Sequence, residues 1–375
     1  MPSIHTIVIG AGIMGLSCAW RLAQHGIKVD LLDGRRCGEG ATLAALGALW
    51  PPSPLVNGPL QQLHRASLWE FEPFLQELQK SSGQPVTFAR RGRLELLNSN
   101  KAVVRAVEEA AVATGDWPAF GGDKPVMEML EPARVAAEFP TVAAESRAAL
   151  LCRATAQVRV AELVSALRAA CTAAGVAIRE GTAVKALPRE GNRITGAETN
   201  NGLLRADSVL VTAGTWSGLV APEVADIAPV RPAKGQGIAV KAPATLHLDT
   251  IVKSETIYLI PWDGEILVGS TTEPEAGFNE AVTEKARTTL ATGAAALIPA
   301  LKDAPVLRQW AGLRPENPAK RHPPIMGAHP EVPNLFVCTG HFKTGIGLSP
   351  RVSRLMAASI ADGTPGSELA PFAPK

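Results

Sequence analysis

The chain has 375 residues, 46% of them hydrophobic and 19% charged, with a formal net charge of +2. That composition describes a folded globular protein long enough for two domains, and it excludes a disordered or fibrous chain. A near-neutral balance without a block of like charges offers nucleic acid or an anionic membrane nothing to hold, and no stretch reaches the roughly 18 uninterrupted apolar residues of a spanning helix.

The first element is the run Ile7-Val8-Ile9-Gly10-Ala11-Gly12-Ile13-Met14-Gly15. Its β-branched start reads as a buried parallel strand, and Leu16, Ala19, Trp20 and Ala23 follow at helical spacing up to a capping Gly26. Ile27 to Leu32 reads as a second strand ending at Asp33, with Gly34 beside it. Strand, glycine turn, helix, second strand and acid in this order form a dinucleotide-binding βαβ unit. Gly10 permits the tight turn, Gly12 lets backbone approach a pyrophosphate, and Gly15 lets helix pack on strand. Asp33 stands 18 residues after Gly15, where a carboxylate can accept hydrogen bonds from a ribose. Ile13 and Met14 open the helix whose free N–H groups face the phosphates.

Small residues then run from Gly40 to Leu49, and Ala41, Thr42, Leu46, Gly47 and Ala48 let a broad ligand approach the backbone. Leu60 to Leu78 predicts a helix. Ala161 to Ala174 predicts another, stopped by Gly175. Strand-like pieces follow at Val176 to Arg179, at Val184 to Leu187 (with Val184 a candidate cofactor contact), and at Ile194 to Glu198. The pair Asn201-Gly202 signals a hairpin turn leading to a strand from Ala206 to Thr212, which ends in Ala213-Gly214. From 226 to 310 the pattern becomes antiparallel, with Thr256 to Pro261 and Glu265 to Ser270 flanking Trp262-Asp263-Gly264. A helix is predicted from Ala281 to Leu297. A strand from Asn334 to Cys338 leads into a glycine loop and a helix reaching Ile360. That loop holds Gly340, His341, Phe342, Lys343, Thr344, Gly345, Ile346 and Gly347.

The expected fold is α/β: a discontinuous Rossmann-like FAD-binding domain (1–85, 150–225 and 315–375) with a second, antiparallel-sheet substrate domain (86–149 and 226–314). A single glycine fingerprint implies one dinucleotide. The Gly40–Leu49 segment, the strand ending at Gly214 and the C-terminal loop favour FAD over NAD, because a helix N-terminus can stabilise charge at the pyrimidine edge of a flavin. Five scattered cysteines without a CxxC pair encode neither an iron–sulfur cluster nor a zinc site. They read as reduced thiols of a cytoplasmic protein, and the absence of Lys or Arg before Arg21 argues against a signal peptide.

The order of GAGIMG, VLVTAGTWS, PAKGQ, GEILVGSTTE, WAGLRP and GHFKTGIGLSP resembles the glycine oxidase branch of the D-amino acid oxidase superfamily, nearly end to end. GSTTEPEAGF with GHFKTG is also similar to the catalytic subunit of hydrogen cyanide synthase and related amine dehydrogenases. The resemblance implies non-covalent FAD and oxidation of a small amine bearing a carboxylate. It implies that Arg314 clamps that carboxylate, a task suited to a planar fork of donors. It sets Tyr258, the single tyrosine, facing the substrate. His341 and Lys343 fall at the flavin edge. Lys343 stands where the family has arginine, a point charge in place of a fork, and Leu43 replaces a small polar residue.

The expected reaction is oxidative deamination of glycine or another small D- or N-substituted amino acid, giving an imine and then an α-keto acid, ammonia and hydrogen peroxide. Two alternatives stay open: a dehydrogenase passing electrons to a partner subunit or quinone, and an FAD-binding protein without small-molecule turnover. Homo-oligomer formation stays open too.

Overall fold

The computed structural model describes residues 4–116, 125–143, 148–319, 322–363 and 366–375. Two sheets organise them. The first has six strands in the order Ile325–Ala328, Leu335–Thr339, Ser208–Val211, His5–Ile9, Lys28–Leu32 and Ala177–Arg179. All neighbours run parallel except the antiparallel edge strand Ile325–Ala328. A parallel sheet is covered on both faces, so its strands read as continuous apolar runs while alternate residues enter different cores. Val8 and Leu210 pack under the helices Ile13–Gln24, Val160–Ala173 and Gly345–Asp362. Ile7, Ile9, Val209 and Val211 pack on the opposite side against Leu187, Val224 and Ile227.

The second sheet has eight strands: Val306–Glu316, Arg231–Lys241, Glu265–Gly269, Tyr258–Trp262, Ile251–Lys253, Arg93–Leu97, Ala148–Cys152 and Met127–Leu130. One face, with Leu94, Ile238, Leu259 and Val268, packs against the helix Glu284–Leu297. The other face turns Ile251, Ile260, Tyr258 and Trp310 towards Leu46 and Trp50, in the segment that follows the second strand of the first sheet.

Four local readings change. The helix expected over Leu60–Leu78 is two helices, Pro59–Trp69 and Phe71–Ser82, meeting at Glu70. Pro73 has no N–H to continue the ladder across that junction, while Glu70 is held by Arg351 and Arg354 of the C-terminal helix. The hairpin signalled by Asn201-Gly202 turns one residue earlier: Thr199 pairs with Gly202, which opens a strand Gly202–Arg205 ahead of Ser208–Val211. Ile194–Glu198 splits into Arg193–Ile194 and Gly196–Thr199. The long helix begins at Glu284, because the Thr283 hydroxyl caps it by accepting from the Ala286 amide. Among the described residues, no helix is long and apolar enough to cross a membrane.

Candidate active site

A cavity of about 930 Å³ lies between the two sheets. It is large enough for a sizeable ligand. At one end the βαβ turn forms its floor. Gly10 adopts φ +101°, and a Cβ there would meet Ala213 Cα and Thr212 O at 2.7 Å. A Cβ on Gly15 would fall 1.7 Å from Gly10 O, so the third glycine brings helix against strand and does not face the cavity. A Cβ on Gly12 would meet only Thr42 Oγ1, at 3.3 Å, and otherwise enter the open cradle. The helix Ile13–Gln24 starts without an acidic residue in its first turn. The Ile13 amide donates to Thr42 Oγ1 at 3.0 Å, so this hydroxyl serves the helix start although Leu43 beside it is apolar and 43% exposed.

Asp33 lines the same end with Gly34. It accepts from the amides of Ala11 and Arg35, both at 2.7 Å. Burial raises the Asp33 pKa while these amides oppose the rise. Gly214, at φ +56°, and Val184 complete this end beside Trp216, whose ring lies 4.6 Å from the Arg35 guanidinium.

In the middle, Ala41, Thr42, Leu46, Gly47 and Ala48 form one wall. The C-terminal loop forms another with His341, Phe342, Lys343, Thr344, Gly345, Ile346 and Gly347. Gly340 turns away from the cavity at φ +75°, towards Val230 and Asn317. Phe342 holds φ +47°, fixed by its amide bonding Pro315 O at 2.9 Å. The helix Gly345–Asp362 also begins with no acid in its first turn and no side-chain cap. Two helix N-termini with positive partial charge thus border one cavity. Fingerprint turn, carboxylate, glycine-lined cradle and second helix end fit an extended dinucleotide.

His341 is buried with its Nε2 3.8 Å from Cys338 Sγ, and burial lowers its pKa to about 3. His64, which sequence reasoning missed, has Nε2 2.8 Å from where a Gly347 Cβ would stand, and burial lowers its pKa to about 4. Both imidazoles are neutral at ordinary pH.

The far end is built on the second sheet. Arg314 crosses Gly235 on the neighbouring strand, where a Cβ would lie 2.1 Å from its guanidinium. Its Nη2 donates to Ser270 Oγ at 2.9 Å and its Nη1 to Thr271 O at 3.2 Å. No carboxylate lies within ion-pair distance of it among the described residues; its open surface faces the cavity, and desolvation lowers its pKa. The Tyr258 ring meets Trp50 edge-on at 5.1 Å, and burial raises the phenol pKa against an opposing effect of Arg314. Lys343 Nζ stands 3.4 Å from Thr272 Oγ1; partial desolvation lowers its pKa, then repulsion from Arg314.

Ser270, Trp50, Arg93 and Lys253 also line the cavity, and sequence reasoning passed over them. The alternation Arg93-Leu94-Glu95-Leu96 was a usable signal, because it places both charges on one face of a strand. Ser270 left none, since its hydroxyl matters only where the fold sets Arg314 against it. No cluster able to hold a metal ion occurs among the described residues.

A family model described as DAO, FAD dependent oxidoreductase, matches residues 5–359. Glycine oxidase of Pseudomonas aeruginosa is 32% identical, with 99% of each chain covered. Hydrogen cyanide synthase subunit HcnC of the same species is 27% identical over 98% of this chain and 94% of its own. Glycine oxidase from Geobacillus kaustophilus superimposes with a TM-score of 0.90 at 26% identity, covering 100% of this chain and 99% of that one. Iminodiacetate oxidase (IdaA) from Chelativorans sp. BNC1 shares the fold with a TM-score of 0.85 at 24% identity, covering 98% of each chain.

Proposed function

Because the chain belongs to the family of FAD dependent oxidoreductases, we propose that it oxidises small amino acids at the Arg314 end of the cavity and passes the electrons to dioxygen. The products are an α-keto acid, hydrogen peroxide and ammonia, or the corresponding amine where the nitrogen is substituted. The observation that carries this reading is Arg314 itself, a partly buried guanidinium with no carboxylate partner among the described residues and its open side towards the cavity. Desolvated cations are stable only when an anion or good acceptors face them, and a substrate carboxylate suits the free edge of the fork.

When bound, FAD would supply an acceptor for one hydride, that is two electrons and a proton, and through it a route to dioxygen. The protein's share is binding, orientation and proton control. Ser270 and the Thr271 carbonyl hold the guanidinium in one orientation. Tyr258 stays protonated because burial raises its pKa, so it remains a donor to the carboxylate. Arg314 and Lys343 disfavour a third positive charge nearby, so the substrate amine is shifted towards its free base. The lone pair of the free amine then drives loss of hydride from Cα, and the imine formed hydrolyses in water. Neither His341 nor His64 is needed as a base, and burial makes both rings weak ones.

Glycine, sarcosine, D-alanine and D-proline, added to FAD-loaded protein, test the reading through peroxide release and anaerobic bleaching. Bleaching with at least one of them and recolouring in air supports an oxidase. Protein that stays bleached in air but recovers with a quinone dye overturns the choice of dioxygen. Similarity to the cyanide synthase subunit makes that outcome worth scoring directly.

A further inference from the structure

Beyond Tyr258 the cavity wall continues into a row of charges that the reaction above does not use. Tyr258 pairs with Lys253, and Lys253 pairs with Glu95 on the next strand. Arg93 lies two residues before Glu95, so all four side chains project from the same face of the sheet. Arg93 and Lys253 line the cavity. Glu95 is 4% exposed and receives Lys253 at 2.6 Å, Arg105 at 2.9 Å and Arg93 at 3.3 Å. Three cations therefore share one carboxylate.

Glu255, another acid that lines the cavity, is exposed on the rim and held by Ser99 Oγ at 2.9 Å. Arg93 is only 8% exposed, its Nε has no hydrogen-bond partner, and its guanidinium lies 5.2 Å from the Trp50 ring that also meets Tyr258. Desolvation lowers the Lys253 pKa, and Glu95 opposes that. A structural ion pair would be balanced. Here an excess of positive charge sits at the cavity wall, a costly arrangement unless a second anion meets it.

The geometry points to a second anion subsite formed by Arg93 and Lys253, which makes the preferred substrate an amino acid with two acidic groups. One carboxylate is held by Arg314 and the other by the Arg93–Lys253 pair, with Trp50 and Tyr258 between them. This rests on the amino acid oxidation proposed above and narrows its substrate class to small amino dicarboxylates.

The test uses FAD-loaded protein and two readouts. Iminodiacetate, D-aspartate and D-glutamate are compared with glycine and D-alanine in kcat/KM. The best dicarboxylate is expected to lead by about tenfold or more. Arg93→Met and, separately, Lys253→Met keep an apolar stem but lose the charge. Each should lower kcat/KM for that dicarboxylate roughly 30-fold more than for the monocarboxylates. The second readout is the visible spectrum of bound FAD titrated with malonate, glutarate or acetate. A dianion should bind about tenfold or more tighter than acetate to the wild type, and that advantage should vanish in Arg93→Met. Glycine or D-alanine as the best substrate, with no dianion advantage in the titration, overturns the subsite and leaves amino acid oxidation standing. If no amino acid bleaches the protein, oxidation itself falls, and the spectral titration alone decides whether the anion subsite exists.

Discussion

Arg314 shows how much of the proposed chemistry rests on one side chain. Truncating one partner of a charge-assisted bidentate pair leaves the other unpaired, at a cost of roughly 2–4 kcal/mol or about 30- to 1000-fold in kcat/KM. Arg314→Ala should therefore cripple amino acid turnover while FAD content, read from the visible spectrum, stays at the wild-type level. Arg314→Lys should recover only part of the rate, since a point charge cannot reproduce the fork. Tyr258→Phe removes one neutral donor and should cost on the order of 1 kcal/mol. Near wild-type kcat/KM in Arg314→Ala would move the carboxylate elsewhere, with Lys343 the next cation in line.

His64 and His341 have a consequence for acid stability. Their folded pKa values, about 4 and about 3, lie below the 6.5 of an exposed imidazole. As pH falls from 6.5 towards 4 the unfolded chain takes up protons that the folded chain refuses. Stability is therefore full above pH 6.5 and is lost on acidification, with a slope approaching about 1.4 kcal/mol per pH unit for each histidine. The buried acids Asp30 and Glu95 have lowered pKa values and lose stability only below the ordinary carboxylate range. Urea midpoints at pH 7.5 and 5.0 span the histidine range, and His64→Leu should reduce the difference between them. An equal difference in that variant would show that His64 titrates like an exposed imidazole.

At the level of elements, the glycine positions carry the most readable information. Gly10, Gly12 and Gly15 could be assigned separate tasks because each task has its own steric demand, and the cradle shows those demands in space. Gly15→Ala should be the harshest small substitution in the chain: its Cβ would overlap Gly10 O, and helix Ile13–Gln24 would have to leave its strand. A loss of about 3 kcal/mol or more is expected, seen as a large fall in Tm and in bound FAD. The Trp262-Asp263-Gly264 hairpin was readable for a similar reason, since Asp-Gly turns tightly and β-rich runs flank it. Short elements were not. Gly202–Arg205 is too brief to show alternation, and the break at Glu70 hides inside an apolar period that continues because both helices cover the same core. The Arg314 setting was readable as a motif, but Ser270 reaches Arg314 and Trp50 reaches Tyr258 from distant segments that only the folded sheet brings together.

For the whole molecule, the cavity between the two sheets makes cofactor binding and stability one equilibrium. A ligand that binds only the folded chain stabilises it by about 2.7 kcal/mol at a hundred times its Kd. Protein stripped of FAD should melt several degrees lower than the loaded form, and added FAD should restore the midpoint in a concentration-dependent way. A midpoint that ignores FAD would mean that the cradle does not hold it.

The parallel order of the first sheet also bears on how the chain is made. Thr6 on one of the two central strands bonds Ser208 on the other, across a sequence separation of 202 residues. At a synthesis rate of 5–20 residues per second, the opening strand emerges roughly 10–40 s before its neighbour exists. The helix at Gly345 comes later still, so the cradle closes only once residues beyond 345 have been made. Until then the opening unit has one apolar strand edge uncovered. A chaperone that covers this edge during synthesis should raise the yield of folded protein, measured as soluble FAD-binding product with and without it.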